Sequence, residues 1–384
     1  MIMKRKIIVT TGSRADYGIL RQIIKEILAS KKLDLYLIVT GMHLSKKHGY
    51  TINEIKNDGF KIHISFKMLP QTDSTYAMAN ALGKGIISFT KIFKKIKPDI
   101  NVIFGDRDEM LASALAAYHL NIPSAHIHGG DKTQGGIDEY NRHAITKISN
   151  IHFAATKKSK DRILLMGENP KYVFLTGSPS IDEVFANKIT NKIELQKKYD
   201  VNLDGNEILL LYHSVTTQSE QSGKEILNIL RVMIRMNRPI IAIAPNSDAG
   251  SKMIFKYLET FAKKYNFIQV YPSVPRSDFL GLLKYCGVLV GNSSSGMIEA
   301  SCFDIPVVNI GMRQKDREKG NNVVDVMDTS NASLHKAMMS AFRMKKQKIK
   351  KNRIYGDGAA SKKIVKHLER ITLDKKLIQK QIYY

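Results

Sequence analysis

Residues 126–143 hold the densest group of chemically active side chains in the sequence. They read HIHGGD at 126–131 and IDEYNRH at 137–143, with two further glycines between the two runs. Imidazole and carboxyl groups can take up and release protons, and a guanidinium can hold negative charge beside them. Glycines permit the tight turns that gather such groups. We therefore expect this segment to be the main catalytic site.

A metal site is an alternative interpretation of His126 and His128. Alternate residues of a strand point to the same face, so both imidazoles could bind one ion. No third ligand follows at a familiar spacing, and Cys286 and Cys302 lack the CxxC spacing of a metal site. Proton transfer is therefore the preferred interpretation.

A glycine turn follows the first apolar run of the chain. Residues 11–17 read TGSRADY, and a stretch of helix length from Gly18 to Ser30 comes next. Small residues let the backbone approach a ligand, a helix N-terminus offers free N–H groups, and Arg14 fits a phosphate. The turn lacks the GxGxxG spacing of a dinucleotide site, and a structural turn is equally compatible with it.

The sequence GDRDE at residues 105–109 follows another apolar run. Asp106 beside Arg107 could serve as a base or as an orienting group. Aspartate is also a favoured N-cap, here for the helix predicted over residues 110–118. Both interpretations stay open at this point.

Polar residues follow two apolar runs in the second half of the chain. His213 and Ser214 follow one run, and GNSSSGMIE at residues 291–299 follows another. Three consecutive serines at a helix start offer hydroxyl and N–H donors, which suit a diphosphate. Glu299, about one turn into that predicted helix, could accept both hydroxyls of a ribose. A nucleotide site is the prediction, and a helix cap is the alternative.

Apolar runs of strand length alternate with amphipathic stretches of helix length along the chain. This alternation is typical of βαβ units and of a mostly parallel sheet. Turn residues near Gly177-Ser178-Pro179 separate two series of runs, so we predict an α/β fold with two doubly wound domains. The predicted strands cover residues 6–11, 35–40, 100–104, 124–127, 151–155 and 173–176, then 207–212, 240–244, 267–271, 288–290 and 307–310.

The domain boundaries follow from the two series. Residues 1–178 form the predicted N-terminal domain and residues 179–358 the predicted C-terminal domain. Residues 359–384 form a terminal helix that we expect to pack back towards the N-terminal domain. Ligands of open parallel sheets bind beyond the carboxyl ends of the strands, where the polar groups described above occur.

Composition narrows the class of protein. A chain of 384 residues with 43% hydrophobic residues can form two or three domains with buried cores. No apolar run reaches the ~18 residues of a membrane span, and the basic start leads into a strand rather than a signal peptide, so we expect a cytoplasmic protein. Sixty Lys and Arg against 35 Asp and Glu leave a net charge of +25, which favours anionic partners. Without a zinc-finger or RNA-binding signature, we expect no dedicated nucleic-acid partner.

A series of motifs runs through the chain. In chain order they are TGSRADYG, TGMHLSKKHGYT, GDR, HIHGGD with IDEYNRHAITK, GSPSID, GNSSSGMIEA, PVVNIGMRQKDRE and GNNVVDV. This series resembles the UDP-N-acetylglucosamine 2-epimerases of sialic-acid-type biosynthesis. The resemblance covers roughly residues 5–330 and implies two Rossmann-like domains in a glycosyltransferase-B arrangement. RHAITK and GMRQKDRE resemble the hydrolysing branch, which implies conversion of UDP-N-acetylglucosamine to N-acetylmannosamine and UDP by elimination and hydration.

The resemblance also implies roles for single residues. Asp106 and Asp138 would be acid/base groups, together with a group of the HIHGGD segment. Many relatives carry HIEGGE there, so His128 and Asp131 stand where those relatives have glutamates, and we expect the two to act jointly. His43 would face the sugar. The full set implied to bind the UDP-sugar is Arg14, His43, Arg107, His213, Asn292, Ser293, Ser294, Glu299 and Arg313.

The implied chemistry needs no nicotinamide, flavin or metal, so no cofactor is expected. The expected partners are a UDP-sugar and a second copy of the chain in a homodimer, with no membrane. One alternative is a hydrolysing 2-epimerase of a UDP-2,4-diacetamido sugar or a GDP-sugar in legionaminic acid synthesis. Others are a glycosyltransferase of the same fold and a basic nucleotide- or nucleic-acid-binding protein without catalysis.

Overall fold

The structure is a computed structural model in which the chain divides into two compact units. The first unit comprises Met1–Asp131, Asp138–Asp182 and Tyr355–Tyr384, and the second comprises Lys132–Ile137 and Glu183–Ile354. The residues described are 4–70, 72, 74–134, 137–186, 188–246, 248–303, 305–347, 349 and 352–384.

Strands and helices alternate along residues 5–291, apart from two consecutive helices within residues 182–199, largely as the sequence predicts. The strands are β1 (Arg5–Thr11), β2 (Leu33–Val39), β3 (Ile62–Ser65), β4 (Ile100–Phe104), β5 (Ser124–Ile127), β6 (Ile151–Ala154), β7 (Val173–Leu175), β8 (Ile208–Leu211), β9 (Ile240–Ile243), β10 (Ile268–Tyr271), β11 (Val288–Gly291), β12 (Val307–Ile310) and β13 (Val323–Val326). The helices are α1 (Arg14–Ala29), α2 (Ile52–Asn57), α3 (Thr75–Ile96), α4 (Asp108–His119), α5 (Ile137–Ile148), α6 (Lys157–Leu165), α7 (Asp182–Phe185), α8 (Lys192–Tyr199), α9 (Ser222–Arg235), α10 (Ser251–Lys264), α11 (Arg276–Tyr285), α12 (Asn331–Lys345), α13 (Ala360–Arg370) and α14 (Lys375–Ile378).

The first unit is built on one sheet in the order β3-β2-β1-β4-β5-β6-β7, with all neighbouring strands parallel. The strand order reverses between β1 and β4, which makes this a doubly wound Rossmann-like sheet. Parallel strands end at the same edge, so the residues that follow β1, β4 and β5 come close together there. That edge holds the candidate acid and base groups.

The second unit repeats this plan. Its sheet has the order β10-β9-β8-β11-β12-β13, again with parallel neighbours, and the order reverses between β8 and β11. His213 follows β8 and the serine turn follows β11, so the candidate nucleotide residues lie beyond the two central strands. The predicted fold class of two Rossmann-like domains is confirmed.

Apolar strands form these sheets because both faces are covered by helices. In the first unit, Ile7 and Val9 of β1 pack in one core with Leu20 and Ile24 of α1, all of them buried. Ile364 of α13 belongs to the same core. Each such side chain contributes about 1.5–3 kcal/mol when it is removed from water.

Four elements differ from the sequence prediction. Strands β3 and β13 were not predicted, because each is an edge strand of four mostly half-buried residues without a continuous apolar run. The single terminal helix predicted within residues 359–384 is divided into α13, which ends at Arg370, and the short α14. The helix predicted after β11 is replaced by 3₁₀ turns at Ser294–Gly296 and Ala300–Cys302. Serine hydroxyls bond locally in this turn and so compete with helix formation.

The boundary residues of the units are fixed by specific hydrogen bonds. Oδ1 of Asp182 accepts from the N–H of Ala360 at 3.1 Å and Oδ2 from the N–H of Ser361 at 2.7 Å, which caps the first turn of α13. These bonds explain why residues 179–182 and 355–358, predicted in the second domain, lie in the first unit. None of the described helices is long and apolar enough to cross a membrane.

Candidate active site

His126 lies on β5 and is fully buried. Its Nε2 lies 2.8 Å from the carbonyl oxygen of Gly105, so this nitrogen carries the hydrogen of the bond. Burial lowers the pKa of the imidazole to about 3, because a charged ring would lose its hydration. His126 is therefore a neutral structural group of the sheet.

The expectation that His126 and His128 point the same way is wrong. Strand β5 ends at Ile127, and His128 follows it in the left-handed conformation with φ of +67°. The alternation of strand side chains therefore stops before His128. Within the described part of the chain, no group of three His, Cys, Asp or Glu side chains could hold a metal ion.

The ring of His128 is buried and held on both sides. Its Nδ1 lies 2.9 Å from Oδ2 of Asp131, and its Nε2 lies 2.8 Å from the hydroxyl of Ser178. The second carboxylate oxygen of Asp131 accepts from the hydroxyl of Ser159 at 2.8 Å. The structure thus brings His128 and Asp131 into direct contact and adds two serines to which the sequence analysis gave no role.

Asp106 follows β4 and pairs with the buried guanidinium of Arg142 on α5. Nε of Arg142 donates to Oδ2 of Asp106 at 2.9 Å, and a second guanidinium nitrogen donates to the same oxygen. Arg142 also donates to Oε2 of Glu139 at 2.6 Å and to the carbonyl oxygen of Asp131 at 3.2 Å. Burial alone would lower the pKa of Arg142, but the neighbouring carboxylates raise it. Arg142 therefore organises the acidic groups of this edge, although it was not among the residues predicted for the site.

The N-cap interpretation of Asp106 is wrong. Helix α4 has Arg107 as its N-cap residue, without a side-chain cap bond, and the carboxylate of Asp106 pairs with Arg142 instead. Nε of Arg107 lies 3.3 Å from Oε2 of the buried Glu109. Asp138 lies in the first turn of α5 and is half-buried.

The turn after β1 is closed by hydrogen bonds of its own. Helix α1 begins at Arg14, with Ser13 as its N-cap. The carboxylate of Asp16 accepts from the N–H groups of Gly12 and Ser13, each at 3.0 Å, so these donors are used inside the turn. Burial raises the pKa of Asp16. Arg14 itself is half-buried, 4.0 Å from the carboxylate of Glu54.

His43 supports the same turn from inside the unit. It is fully buried, with Nε2 2.9 Å from the hydroxyl of Thr11 and Nδ1 2.8 Å from the hydroxyl of Thr51. Burial lowers the pKa of the ring to about 4, so the imidazole is neutral at physiological pH. In this structure its contacts hold the turn.

In the second unit, Asn292 clamps the backbone of His213. Its Oδ1 accepts from the N–H of His213 at 2.7 Å, and its Nδ2 donates to the carbonyl oxygen of His213 at 2.8 Å. Nδ1 of His213 accepts from the N–H of Asn246 at 3.2 Å. The neutral ring therefore carries its hydrogen on Nε2, which suits this nitrogen for donating to a phosphate oxygen.

The serine turn after β11 presents half-buried Ser293 and Ser294. The hydroxyls of Ser293 and Ser295 lie 2.8 Å apart. Glu299 is buried beyond this turn and lies in an ion pair, with Oε1 2.7 Å from a guanidinium nitrogen of Arg276. Arg276 was not among the residues predicted for this site.

Arg313 braces the same turn. Its guanidinium donates to the carbonyl oxygen of Asn292 at 3.1 Å, and the amide of Gln314 donates to that oxygen at the same distance. In the second unit, His213 and Arg313 are therefore brought together because both are hydrogen-bonded to Asn292.

A sequence profile of one family matches residues 25–369 of the chain, and that family is described as UDP-N-acetylglucosamine 2-epimerase. The chain belongs to this family. The resemblance to this family that the sequence motifs indicated is thereby confirmed.

Two curated relatives lie in the hydrolysing branch. The UDP-N,N'-diacetylbacillosamine 2-epimerase (hydrolyzing) of Legionella pneumophila is 38% identical over 380 residues, which are 98% of this chain and 99% of the relative. The GDP/UDP-N,N'-diacetylbacillosamine 2-epimerase (hydrolyzing) of Campylobacter jejuni is 34% identical over 324 residues, 84% of each chain. Both alignments support membership of the hydrolysing branch.

The fold agrees with solved structures of the family. The crystal structure of UDP-GlcNAc 2-epimerase from Neisseria meningitidis bound to UDP-GlcNAc matches with a TM-score of 0.79. The match covers 95% of this chain and 100% of that chain at 19% identity. At this identity the likeness concerns the fold.

Proposed function

We propose that this family member is a hydrolysing 2-epimerase of a UDP-linked 2,4-diacetamido sugar of the UDP-N,N'-diacetylbacillosamine type. The observation that carries the proposal is the 38% identity to the Legionella pneumophila enzyme over nearly the whole of both chains. This favours the alternative named from the sequence over the main expectation, UDP-N-acetylglucosamine. The description of the matched family keeps UDP-N-acetylglucosamine as the second candidate.

The proposed reaction begins with removal of the proton on C2 of the sugar. The electron pair of the C2–H bond forms a C1–C2 double bond. The C1–O bond, which is anti to the C2–H bond, breaks at the same time, and the electron pair of the C1–O bond leaves on the oxygen of UDP. Water then adds to C1 of the resulting glycal, and a proton adds to C2 from the opposite face. The products are UDP and the free C2-epimeric sugar. Two acid/base groups on different faces of the sugar are needed.

The first unit supplies groups suited to these transfers. We assign proton transfer to Asp106, Asp138 and His128 with Asp131, as the family motifs imply. Arg142 supports the assignment, because its guanidinium contacts Asp106 and the backbone of Asp131 at once. The arrangement fixes two of the proposed groups relative to each other before substrate binds.

We assign UDP to residues of the second unit. Nε2 of His213 and the hydroxyls of Ser293 and Ser294 would donate to the diphosphate, and Glu299 would accept from the ribose. Arg313 would add charge near the nucleotide. Hydrogen bonds from donors of this kind to anionic oxygens are worth about 1.5–3 kcal/mol each. Arg14, Arg107 and His43 complete the proposed substrate set, with His43 acting by holding the turn that carries Arg14.

A substrate panel tests the proposal. Purified enzyme is given the UDP-2,4-diacetamido sugar, UDP-N-acetylglucosamine and the GDP-linked 2,4-diacetamido sugar, and kcat/KM is measured from nucleotide release. The expected order places the UDP-2,4-diacetamido sugar first by at least about tenfold, since a buried polar contact to the C4 substituent is worth about 1.4 kcal/mol or more. A preference for UDP-N-acetylglucosamine would contradict the proposed substrate and restore the main expectation.

Three further expectations stay predictions. They are the homodimer, the absence of a dedicated nucleic-acid partner and the cytoplasmic location. Light scattering of the purified protein measures the first, and a mass of one chain would contradict it.

A further inference from the structure

The backbone at His128 has a conformation that side chains rarely adopt. Its φ of +67° lies in the left-handed region, which is unfavourable for a residue other than glycine. Such a conformation persists only where surrounding contacts hold it in place. The backbone N–H of His128 donates to the carbonyl oxygen of Phe153 at 3.1 Å, and the ring packs edge-on against Phe104 with centroids 5.3 Å apart.

The two ring nitrogens of His128 have partners of different chemistry. An ionised Asp131 can only accept, so the hydrogen of this contact is on Nδ1. In the neutral ring Nε2 then has a lone pair, and the hydroxyl of Ser178 can donate a hydrogen bond to it. Ser159 donates to the second oxygen of Asp131 and so holds the carboxylate in turn.

The chain around Ser178 is fixed as firmly as the ring. The N–H of Ser178 donates to the carbonyl oxygen of Tyr355 at 2.8 Å. Gly177 before it has φ of +86°, and a Cβ there would lie 2.9 Å from the same carbonyl oxygen, so only glycine fits. Ser178 has no exposed surface. Its hydroxyl is also held from the other side, since it accepts from the N–H of Ser180 at 3.2 Å and lies 2.6 Å from the hydroxyl of Ser180.

We propose that Ser178 is a positioning residue for His128. Its hydroxyl donates to Nε2 while Asp131 accepts from Nδ1, and together they hold the imidazole in one orientation as the Nδ1–H tautomer. Nε2 is thereby the basic nitrogen of the ring. The proposal rests on the proposed function in one respect, namely that His128 takes part in proton transfer there. The tautomer itself does not depend on the reaction.

Two readouts on the substrate-free and the working enzyme test the proposal. In protein labelled with ¹⁵N-histidine, the resonances of His128 report which ring nitrogen carries hydrogen. We expect Nδ1 to be protonated and Nε2 to be an unprotonated nitrogen that accepts a hydrogen bond. In Ser178→Ala the Nε2 resonance should move towards the position of an unbonded nitrogen, with Nδ1 still protonated. A protonated Nε2 in the wild type would overturn the proposal.

Kinetics supply the second readout. We expect Ser178→Ala to lower kcat by about tenfold to a hundredfold with KM within about twofold, because a misplaced catalytic group costs rate rather than binding. Ser178→Thr keeps the hydroxyl and should recover most of the lost rate. An unchanged kcat in Ser178→Ala would overturn the positioning role.

Ser113→Ala is the matched control. Ser113 is also a fully buried serine of the first unit, and its hydroxyl donates to Oδ1 of Asn101 at 3.2 Å. This variant should show a comparable loss of thermal stability without the loss of kcat. Equal losses of kcat in Ser113→Ala and Ser178→Ala would mean that the loss in Ser178→Ala comes from lower stability of the protein. That result would contradict the proposal. If the wild type turned over none of the sugars in the panel, the proposed function would fail, whereas the ¹⁵N result would stand.

Discussion

The two units fix their candidate residues by different means. In the first unit, side chains hold side chains, as Arg142 does for Asp106 and Ser178 does for His128. In the second unit, Asn292 and Arg313 bond to backbone atoms, so that the loops themselves are fixed. Acidic and basic side chains that are held in a fixed orientation are suited to proton transfer. Loops with a fixed backbone that carry hydroxyl and imidazole donors are suited to binding an anion. The comparison predicts that substitutions of the proposed acid/base groups in the first unit affect turnover, whereas substitutions of the proposed UDP-binding residues in the second unit affect affinity.

Asp106→Asn should have the largest effect. The substitution removes a proposed acid/base group, and general acid–base catalysis typically contributes about 10²–10⁴-fold. We expect kcat to fall by that range while the Kd for UDP, measured by calorimetry, stays within about twofold. Asp161→Asn, at an exposed position of α6, is the charge-matched control and should leave both values unchanged. A large loss of UDP affinity in Asp106→Asn would break the division between the units.

Glu168→Gln tests whether every ion pair of the first unit serves catalysis. Glu168 is buried 3.0 Å from Nε2 of His152, and Nζ of Lys380 contacts it at 2.6 Å. Although burial opposes the charge, the hydrogen bond from His152 and the contact with Lys380 lower the pKa of Glu168 to about 2. Relative to an ordinary value near 4.5, the shift corresponds to about 3 kcal/mol of stability.

The pH dependence of that contribution has a definite sign. A carboxylate whose pKa is lower in the folded state stabilises fully above its unfolded pKa and loses the effect as pH falls towards its folded pKa. The difference in unfolding free energy between wild type and Glu168→Gln should therefore be constant above about pH 5 and shrink between about pH 4.5 and 2. Denaturant unfolding at several pH values measures it. We expect kcat to be unchanged in Glu168→Gln. A lowered kcat would show that ion pairs away from the proposed acid/base groups also affect catalysis.

Asn292→Ala tests the backbone clamp of the second unit. It removes both amide contacts to His213 and leaves two buried backbone groups without them, which costs about 1–3 kcal/mol. The Kd for UDP should rise by about tenfold to a hundredfold, with kcat at saturating substrate within a few fold. Titration calorimetry and initial rates separate the two. A loss confined to kcat would contradict the assignment of UDP to this unit.

Ser294→Ala should have the smallest effect. The half-buried hydroxyl supplies one proposed hydrogen bond to the diphosphate. Because water can reach this position and replace the lost donor, we expect its removal to cost about 0.5–1.5 kcal/mol, less than the loss of a buried donor to an anionic oxygen. We expect the Kd for UDP to rise by about threefold to tenfold and the Kd for uridine to stay the same. Uridine lacks the diphosphate and is therefore the matched ligand control. An equal change for uridine would place the effect outside the diphosphate.

Local pattern predicted most of the fold. The bounds of β4, β5 and β12 agree with the structure to the residue, because a buried parallel strand is a short apolar run between turn residues. The edge strands β3 and β13 lack that signal. The helix expected after β11 failed for another reason, since the hydroxyls of the serine turn bond to one another.

The candidate site was predictable in its residue types but not in its contacts. The sequence placed His128 and Asp131 in one motif, and the structure joins them directly. Ser178 follows in the chain fifty positions later, and Arg142 and Asp106 are separated by thirty-six, so only the fold brings these pairs together. His43 is the opposite case. Its motif led to the prediction that it faces the sugar, but its side chain is fully buried in the structure.

The central claim is that UDP leaves by elimination from C2 and C1 of the sugar. Its most direct test is one turnover mixture of enzyme and UDP-2,4-diacetamido sugar in deuterated water enriched in ¹⁸O, with products analysed by NMR and mass spectrometry. Elimination predicts one deuterium at C2 of the epimerised free sugar, because the proton added there comes from the solvent. It also predicts no ¹⁸O in UDP, because the C1–O bond breaks. Sugar without deuterium at C2, or UDP that contains ¹⁸O, would contradict it.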